Sequence, residues 1–305
     1  MYSCKAYNNQ DEKNDRSQFG LKGNIRSLVE KTFDASEQFG QISKSDVNPS
    51  ETYTVTYNED GNMIEERGSC YVRKYSYFEN GRKKEERSYD IDGLLSSVSK
   101  HEYEGDSVDI AKFYDKNSAY TSKRITRYDS RGNLILLQDY DPKGVLTGRS
   151  NYQYDKNNNA IGFRNYDSNG KLTYKSDEHV YDNKKNIIES ILYNTDGTVS
   201  NKRITKYKYD QKGNKLAANT YDDTDNNFIC KEIFKYDKKG NLVDYSLYSE
   251  TTKHDENNGI VSLSLEKYNT ITKYEYDNQG NWIKSTTITN GQPEKIIERE
   301  FEYYK

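Results

Sequence analysis

Along most of the chain, apolar and polar residues alternate with a period of two, in stretches of eight to ten residues. That period puts successive side chains on opposite faces of a strand. The stretches are punctuated by tyrosine at Tyr57, Tyr77, Tyr89, Tyr103, Tyr114, Tyr128, Tyr140, Tyr154, Tyr166, Tyr181, Tyr193, Tyr209, Tyr221, Tyr236, Tyr248 and Tyr276. Asp follows directly at eleven of these sixteen, and Gly stands four residues on at ten. Asp suits the first position of a type I turn, and Gly supplies the left-handed residue that ends it. Each tyrosine therefore closes a strand, and each segment after the turn opens the next. The spacing predicts strands of about 26–33 Å at roughly 3.3 Å per residue.

Two half-repeats alternate, giving a full unit of 25 to 28 residues. One reads Tyr-x-Tyr-Asp-x-x-Gly-Asn, as in YKYDQKGN and YEYDNQGN; the other reads YDPKG, YDSNG or YNTDG. Consecutive turns of a meander lie on opposite edges, which accounts for the alternation. Asn158 and Lys185 stand where the turn glycine is expected; Asn tolerates the left-handed region, and Lys pays for it. Three residues after the first-edge glycine position come Ile135, Ile161, Ile188, Leu216, Val243 and Ile283, an aliphatic ladder. Tyr75/Tyr77, Tyr152/Tyr154, Tyr207/Tyr209, Phe234/Tyr236 and Tyr274/Tyr276 form an aromatic one. The expected fold is all-β: an elongated antiparallel meander of tandem β-hairpins, as a single-layer or spiralling sheet.

The tandem YDxxGN units resemble the YD repeats of RHS-type proteins, and YFENGRKKEERSYDIDG (residues 77–93) resembles MORN-variant repeats. The resemblance spans about residues 53–304. It implies a surface or secreted protein that encloses, presents or scaffolds other molecules, and names no single activity.

Composition supports a thin fold. Only 32% of the 305 residues are apolar, 31% are charged, and mean hydropathy is -1.16. That is too little aliphatic matter for a globular core of this length. The 30 tyrosines oppose disorder, because their rings pack while their hydroxyls stay wet. Net charge is -3 with both signs interspersed, so no basic stripe points to nucleic acid. Residues 1–18 read as a polar tether and residues 19–305 as the array, with a first strand near residues 24–33 and, at about 249–272, either a long hairpin insertion or one further repeat with a degraded motif. The charged stretch 294–305 is expected to cap the far edge.

Candidate chemistry is sparse. His101 and His179 sit in the slot held elsewhere by Tyr75, Tyr152 and Tyr207, and read as ladder substitutions; His254 falls in the long hairpin turn. Asp222, Asp223, Asp225 and Asn227 fail the calcium-loop pattern, since Phe228 and Phe234 occupy its Gly and Glu positions. Glu65-Glu66 and Glu85-Glu86 point to opposite faces as strand neighbours. Cys70 and Cys230 read as small buried or half-buried strand residues. No catalytic, metal or cofactor residue is assigned. The expected role is a non-catalytic scaffold or binding module for protein or glycan, with Tyr152, Tyr154, Tyr207, Tyr209, Tyr274 and Tyr276 as the binding face. A polysaccharide-active enzyme using acidic residues, or a plain spacer, are the alternatives. Ser3 before Cys4, followed by a polar tether, reads as a processed lipoprotein start with Cys4 as candidate lipidation site. That places the protein on the cell surface, in the periplasm or secreted, and otherwise in the cytoplasm.

Overall fold

The computed structural model describes residues 14–46, 49–176, 178–183, 185–191, 203–222, 228–255 and 259–305. Among these lie one short helix, α1 (Asp15–Gln18), and 22 strands. The first are β1 (Ile25–Gln38), β2 (Gln41–Lys44), β3 (Glu51–Tyr57), β4 (Met63–Arg67), β5 (Val72–Tyr77), β6 (Lys83–Tyr89) and β7 (Leu95–Glu104). Next come β8 (Val108–Asp115), β9 (Tyr120–Tyr128), β10 (Leu134–Tyr140), β11 (Leu146–Tyr154), β12 (Ala160–Asp167), β13 (Leu172–Lys175) and β14 (Glu178–Tyr181). The remainder are β15 (Ile187–Ile191), β16 (Arg203–Tyr209), β17 (Lys215–Asp222), β18 (Phe228–Tyr236), β19 (Leu242–Asp255), β20 (Gly259–Tyr276), β21 (Trp282–Thr289) and β22 (Gln292–Tyr303). All the ladders are antiparallel, as the meander predicts.

The array is curved. β1 lies between β3 and β22, with Leu28 paired to Val55 on one side and to Phe301 on the other. The strands nearest the two ends of the chain are thus zipped together, and the sheet bends to bring them side by side. The far-edge cap expected of residues 294–305 is a paired strand, because β22 has neighbours on both sides. The ends of the hydrogen-bonded ribbon are β13 and β14, two consecutive pieces of one interrupted strand, so the ladder is not closed there. Around that gap the Ser176 N–H donates to the Phe163 carbonyl (2.9 Å), and the Tyr181 hydroxyl donates to the Ala160 carbonyl. Solvent-accessible area is 19917 Å², whereas a compact globule of this mass would expose about 13,000 Å². The ribbon is thin and does not surround a solid core.

Turn chemistry follows the motif. In the turn after Tyr128, the Gly132 N–H donates to the Asp129 carbonyl (3.0 Å), and the Asp129 N–H donates to the Asn133 carbonyl (2.9 Å). Asp129 Oδ1 accepts from the Arg131 and Asn133 amides, and Asn133 Nδ2 donates to Asp129 Oδ2, all at 2.9 Å. The terminal Asn of the motif is therefore the partner of its Asp, and it is buried at Asn133, Asn159 and Asn281. At Asp210 the Asn214 side chain, with backbone amides, holds the carboxyl below its usual range. Lys185 and Asn158 adopt φ of +64° and +67°, like the glycines they replace. Gly240 has φ +89°, and a Cβ there meets nothing within 4 Å. Gly240→Val is therefore expected to cost more than about 1 kcal/mol through backbone strain alone. Lys185→Gly is expected to be neutral or to gain a few tenths of a kcal/mol. Urea unfolding of the two variants checks this, and equal losses at both sites would contradict the turn assignment.

Tyrosines on the first edge also join hairpin to hairpin. Tyr77 donates to the Met63 carbonyl (2.6 Å), Tyr103 to Lys83 (2.9 Å), Tyr154 to Leu134 (2.9 Å) and Tyr209 to Ile187 (2.6 Å). Every acceptor stands two residues beyond the left-handed turn residue of the preceding first-edge turn. Tyr304 repeats the clamp across the seam, donating to the Tyr57 carbonyl at 2.6 Å.

Register divides the side chains between two faces. One carries Tyr57, Val55, Met63 and Leu28, which with Ile25 form the buried cluster against Leu21, Tyr53, Tyr75, Phe301 and Tyr303. The segment 14–24 is docked at this inner face. Asn14 caps α1, Arg16 N–H donates to the Gly61 carbonyl (2.9 Å), and Lys22 exchanges two bonds with Asn281 (both 2.8 Å). Residues 14–18, read as the end of the tether, thus belong to the folded body; residues 1–13, with Cys4, lie outside the described residues. The aliphatic ladder occupies the other, outer face, where Ile135, Ile188 and Leu216 are exposed.

Candidate binding face

All six tyrosines expected to form a binding face lie on the inner face, half-buried. They are less available than the sequence suggests. Tyr154 and Tyr209 spend their hydroxyls on carbonyls, and Tyr276 donates to Asp237. Tyr152 stacks on Phe163 at 5.4 Å between ring centres, and Tyr274 packs on Trp282 at 5.8 Å. Lys215 covers the Tyr207 ring at 4.5 Å, and Lys239 covers Tyr276 at 3.7 Å. Burial is the first cause that pushes Tyr209 and Tyr276 up to about 12. These rings build the sheet before they can serve a ligand.

A concavity lies farther along the same face, over β6 to β9. A cleft of about 280 Å³ is lined by Lys83, Glu86, Ser88, Ser97, Ser99, His101, Asp109, Ala111, Phe113, Arg124 and Thr126. Ser97 and Ser99 lie opposite Ser88 and Glu86 on the neighbouring strand, so small side chains floor the cleft where larger ones stand elsewhere. His101 Nδ1 is 3.0 Å from Asp109, both side chains under a fifth exposed. Arg124 holds Asp139 through two bonds of 2.7 and 3.1 Å. Glu86 lies 3.4 Å from Lys83. Glu86 and Arg124 each stand beside an opposite charge, and Asp109 beside an imidazole nitrogen, so the cleft offers directional donors and acceptors.

His101 stands in the ladder slot beside Tyr103, as the spacing predicts, and also meets Asp109, which the spacing does not show. His179 likewise sits on the inner face, 2.8 Å from Ser190 Oγ. His254 is the penultimate residue of β19 rather than part of a turn. Glu85 and Glu86 diverge as expected, as do Glu65 and Glu66. The reading missed Glu66, which is 8% exposed and accepts from Tyr53 (3.0 Å), Tyr75 (2.7 Å) and Arg73 (2.9 Å). Three donors fix this carboxylate as a structural anchor of the inner face. Alternation assigns it a face, but its partners come from different strands. Cys70 is an exposed bend residue, not a buried strand one, because the β4–β5 connection turns there; Cys230 is half-buried in β18. Asp223, Asp225 and Asn227 lie outside the described residues.

No protein-family model matches the chain, and no curated protein matches it. Several solved structures show a weak likeness to the chain. A Photorhabdus luminescens Tc holotoxin pore is 11% identical with a TM-score of 0.33, over 84% of this chain and 16% of that one. The TcdB2-TccC3 complex without its hypervariable C-terminal region is 12% identical at a TM-score of 0.33, over 81% and 16%. A porin-like protein from Bacteroides uniformis is 11% identical at a TM-score of 0.32, over 92% of this chain and 98% of that one. The chain spans about a sixth of the toxin chains.

Proposed function

We propose that this chain is a non-catalytic repeat scaffold or binding module whose inner face takes an extended protein segment or a glycan. The cleft over β6 to β9 carries the proposal. Its serine floor, its His101–Asp109 and Arg124–Asp139 pairs and the Phe113 ring give polar contacts beside an apolar wall, the usual make-up of a site for a neutral polar ligand. A panel of polysaccharides and surface-protein peptides, read by calorimetry, tests it. Arg124→Ala and Asp109→Ala are each expected to weaken a bound member at least tenfold, since each leaves a polar partner uncompensated. Undiminished binding by both variants would move the site elsewhere.

A membrane-spanning barrel is disfavoured by the outer face. Lys100, Lys112 and Lys123 lie side by side across β7, β8 and β9, and a lysine at the lipid midplane of a barrel costs about 2–4 kcal/mol. A water-facing outer surface fits the charge better. Attachment to a membrane, in this reading, comes through lipid on Cys4 ahead of the docked segment, with the protein displayed at the surface, in the periplasm or secreted. Asn14 itself stands at the first-edge rim, donating to the Asp60 carbonyl. Mass analysis of the mature N-terminus after expression of the complete gene decides between this and a cytoplasmic scaffold.

A further inference from the structure

The hairpin of β19 and β20 outgrows the sheet. β19 pairs with β18 only as far as Ser249, and β20 pairs with β21 only from Thr270 on. The two strands continue paired to each other up to Asp255 and Gly259. Beyond the Asn290–Gly291 turn, the outer edge of β20 has no ladder partner among the described residues, and its backbone groups are a template for another strand. The two edges differ in sequence. On β19 the run ETTKHD (residues 250–255) carries four titratable residues, the usual protection against strand addition. On β20 the run IVSLSL (residues 260–265) carries no charge, in a chain where 31% of residues are charged.

We infer that this edge pairs with the same edge of a second copy of the chain, forming a two-fold homodimer through antiparallel β20–β20 contact centred on Leu263. The sequence itself favours a second copy over another partner. Around Leu263 the pattern is symmetric, apolar-Ser-apolar-Ser-apolar from Val261 to Leu265. Reversal about that point sets Val261 opposite Leu265, Ser262 opposite Ser264 and Leu263 opposite its own copy. Apolar positions meet apolar ones, and hydroxyls meet hydroxyls, as cross-strand pairing requires. An isologous contact of this kind closes after two chains, and the edges it leaves open are those of β19, which carry the titratable run.

Sedimentation velocity of the full chain across the micromolar range is expected to show a concentration-dependent dimer. Asn269 turns its backbone groups to the β21 side, so alternation turns those of Leu263 and Leu265 to the open edge. Leu263→Pro and Leu265→Pro each remove a backbone donor from it, and are expected to weaken the dimer at least tenfold. Because proline could also loosen the hairpin, a second measurement is placed on the axis. With Cys4, Cys70 and Cys230 changed to Ser, Leu263→Cys is expected to form a disulfide-linked dimer under mild oxidation, and Thr252→Cys on β19 is not. A monomer at every concentration overturns the inference and leaves the edge to a strand from another protein. Cross-linking that is equal at positions 263 and 252 overturns it as well.

Discussion

Replacing Leu28 by Asp is expected to lower stability by at least about 3 kcal/mol, from lost burial and an unpaired buried carboxylate. Leu28 is 5% exposed and sits where β1 is paired on both sides, between Val55 and Phe301. Most positions in this array touch only adjacent hairpins, so a loss there stays local. At Leu28 the loss falls on the strand that joins the beginning of the chain to its end. Amide exchange should therefore quicken together in β1, β3 and β22, while β10 to β12 remain protected. Uniform acceleration along the whole chain would show that the array unfolds as one unit. Loss confined to β1 would show that the zipper carries little of the stability.

Raising the pH is expected to unfold the protein between about pH 10 and 12. Burial, the first cause in each case, pushes Tyr57, Tyr103, Tyr209, Tyr245 and Tyr276 up to about 12 from an ordinary value of 10.0. Nearby carboxylates add to it at Tyr245 through Glu232 and at Tyr276 through Asp237. A folded-state value above the unfolded one means that folding favours the protonated phenol. The stabilisation is thus complete below pH 10 and is lost as the pH rises through 12. Tyrosinate absorbance followed together with circular dichroism checks this. A single ionisation near the ordinary value with the sheet signal intact would mean that the clamps do not hold the hairpins.

Strands, turns and faces were legible in the sequence because each is a local matter. The period of two sets the faces, and Asp with Gly, Asn158 or Lys185 sets the reversals. Even the long hairpin left a mark, as the interval between Tyr248 and Tyr276. Curvature left none. The pairing of Leu28 with Phe301 joins positions far apart in the chain and depends on twist summed over every strand. No repeat unit records it. The candidate cleft was hidden for a related reason. Ser88, Ser97 and Ser99 look like ordinary strand residues until four strands bring them under His101, Asp109 and Arg124. The tyrosine ladder stands where the sequence puts it, with the hydroxyls of Tyr77, Tyr103, Tyr154 and Tyr209 turned to neighbouring hairpins. The terminal Asn of YDxxGN had no assigned purpose until Asn133 was seen to hold Asp129.

The zipped seam also sets a timetable for biosynthesis. Each hairpin closes over a short loop, so its contacts can form as soon as its residues leave the ribosome. β1 emerges well before one of its two partners, β22, which is made only at residues 292–303. Through most of synthesis β1 carries an open edge beside β3, with Leu28 and Phe33 waiting for Phe301 and Ile296. A nascent chain halted before residue 292 would display that edge and invite capture by a chaperone or by another chain. Closing the seam is then the last event of folding, and its rate is set by the search between two distant strands rather than by the hairpins already formed.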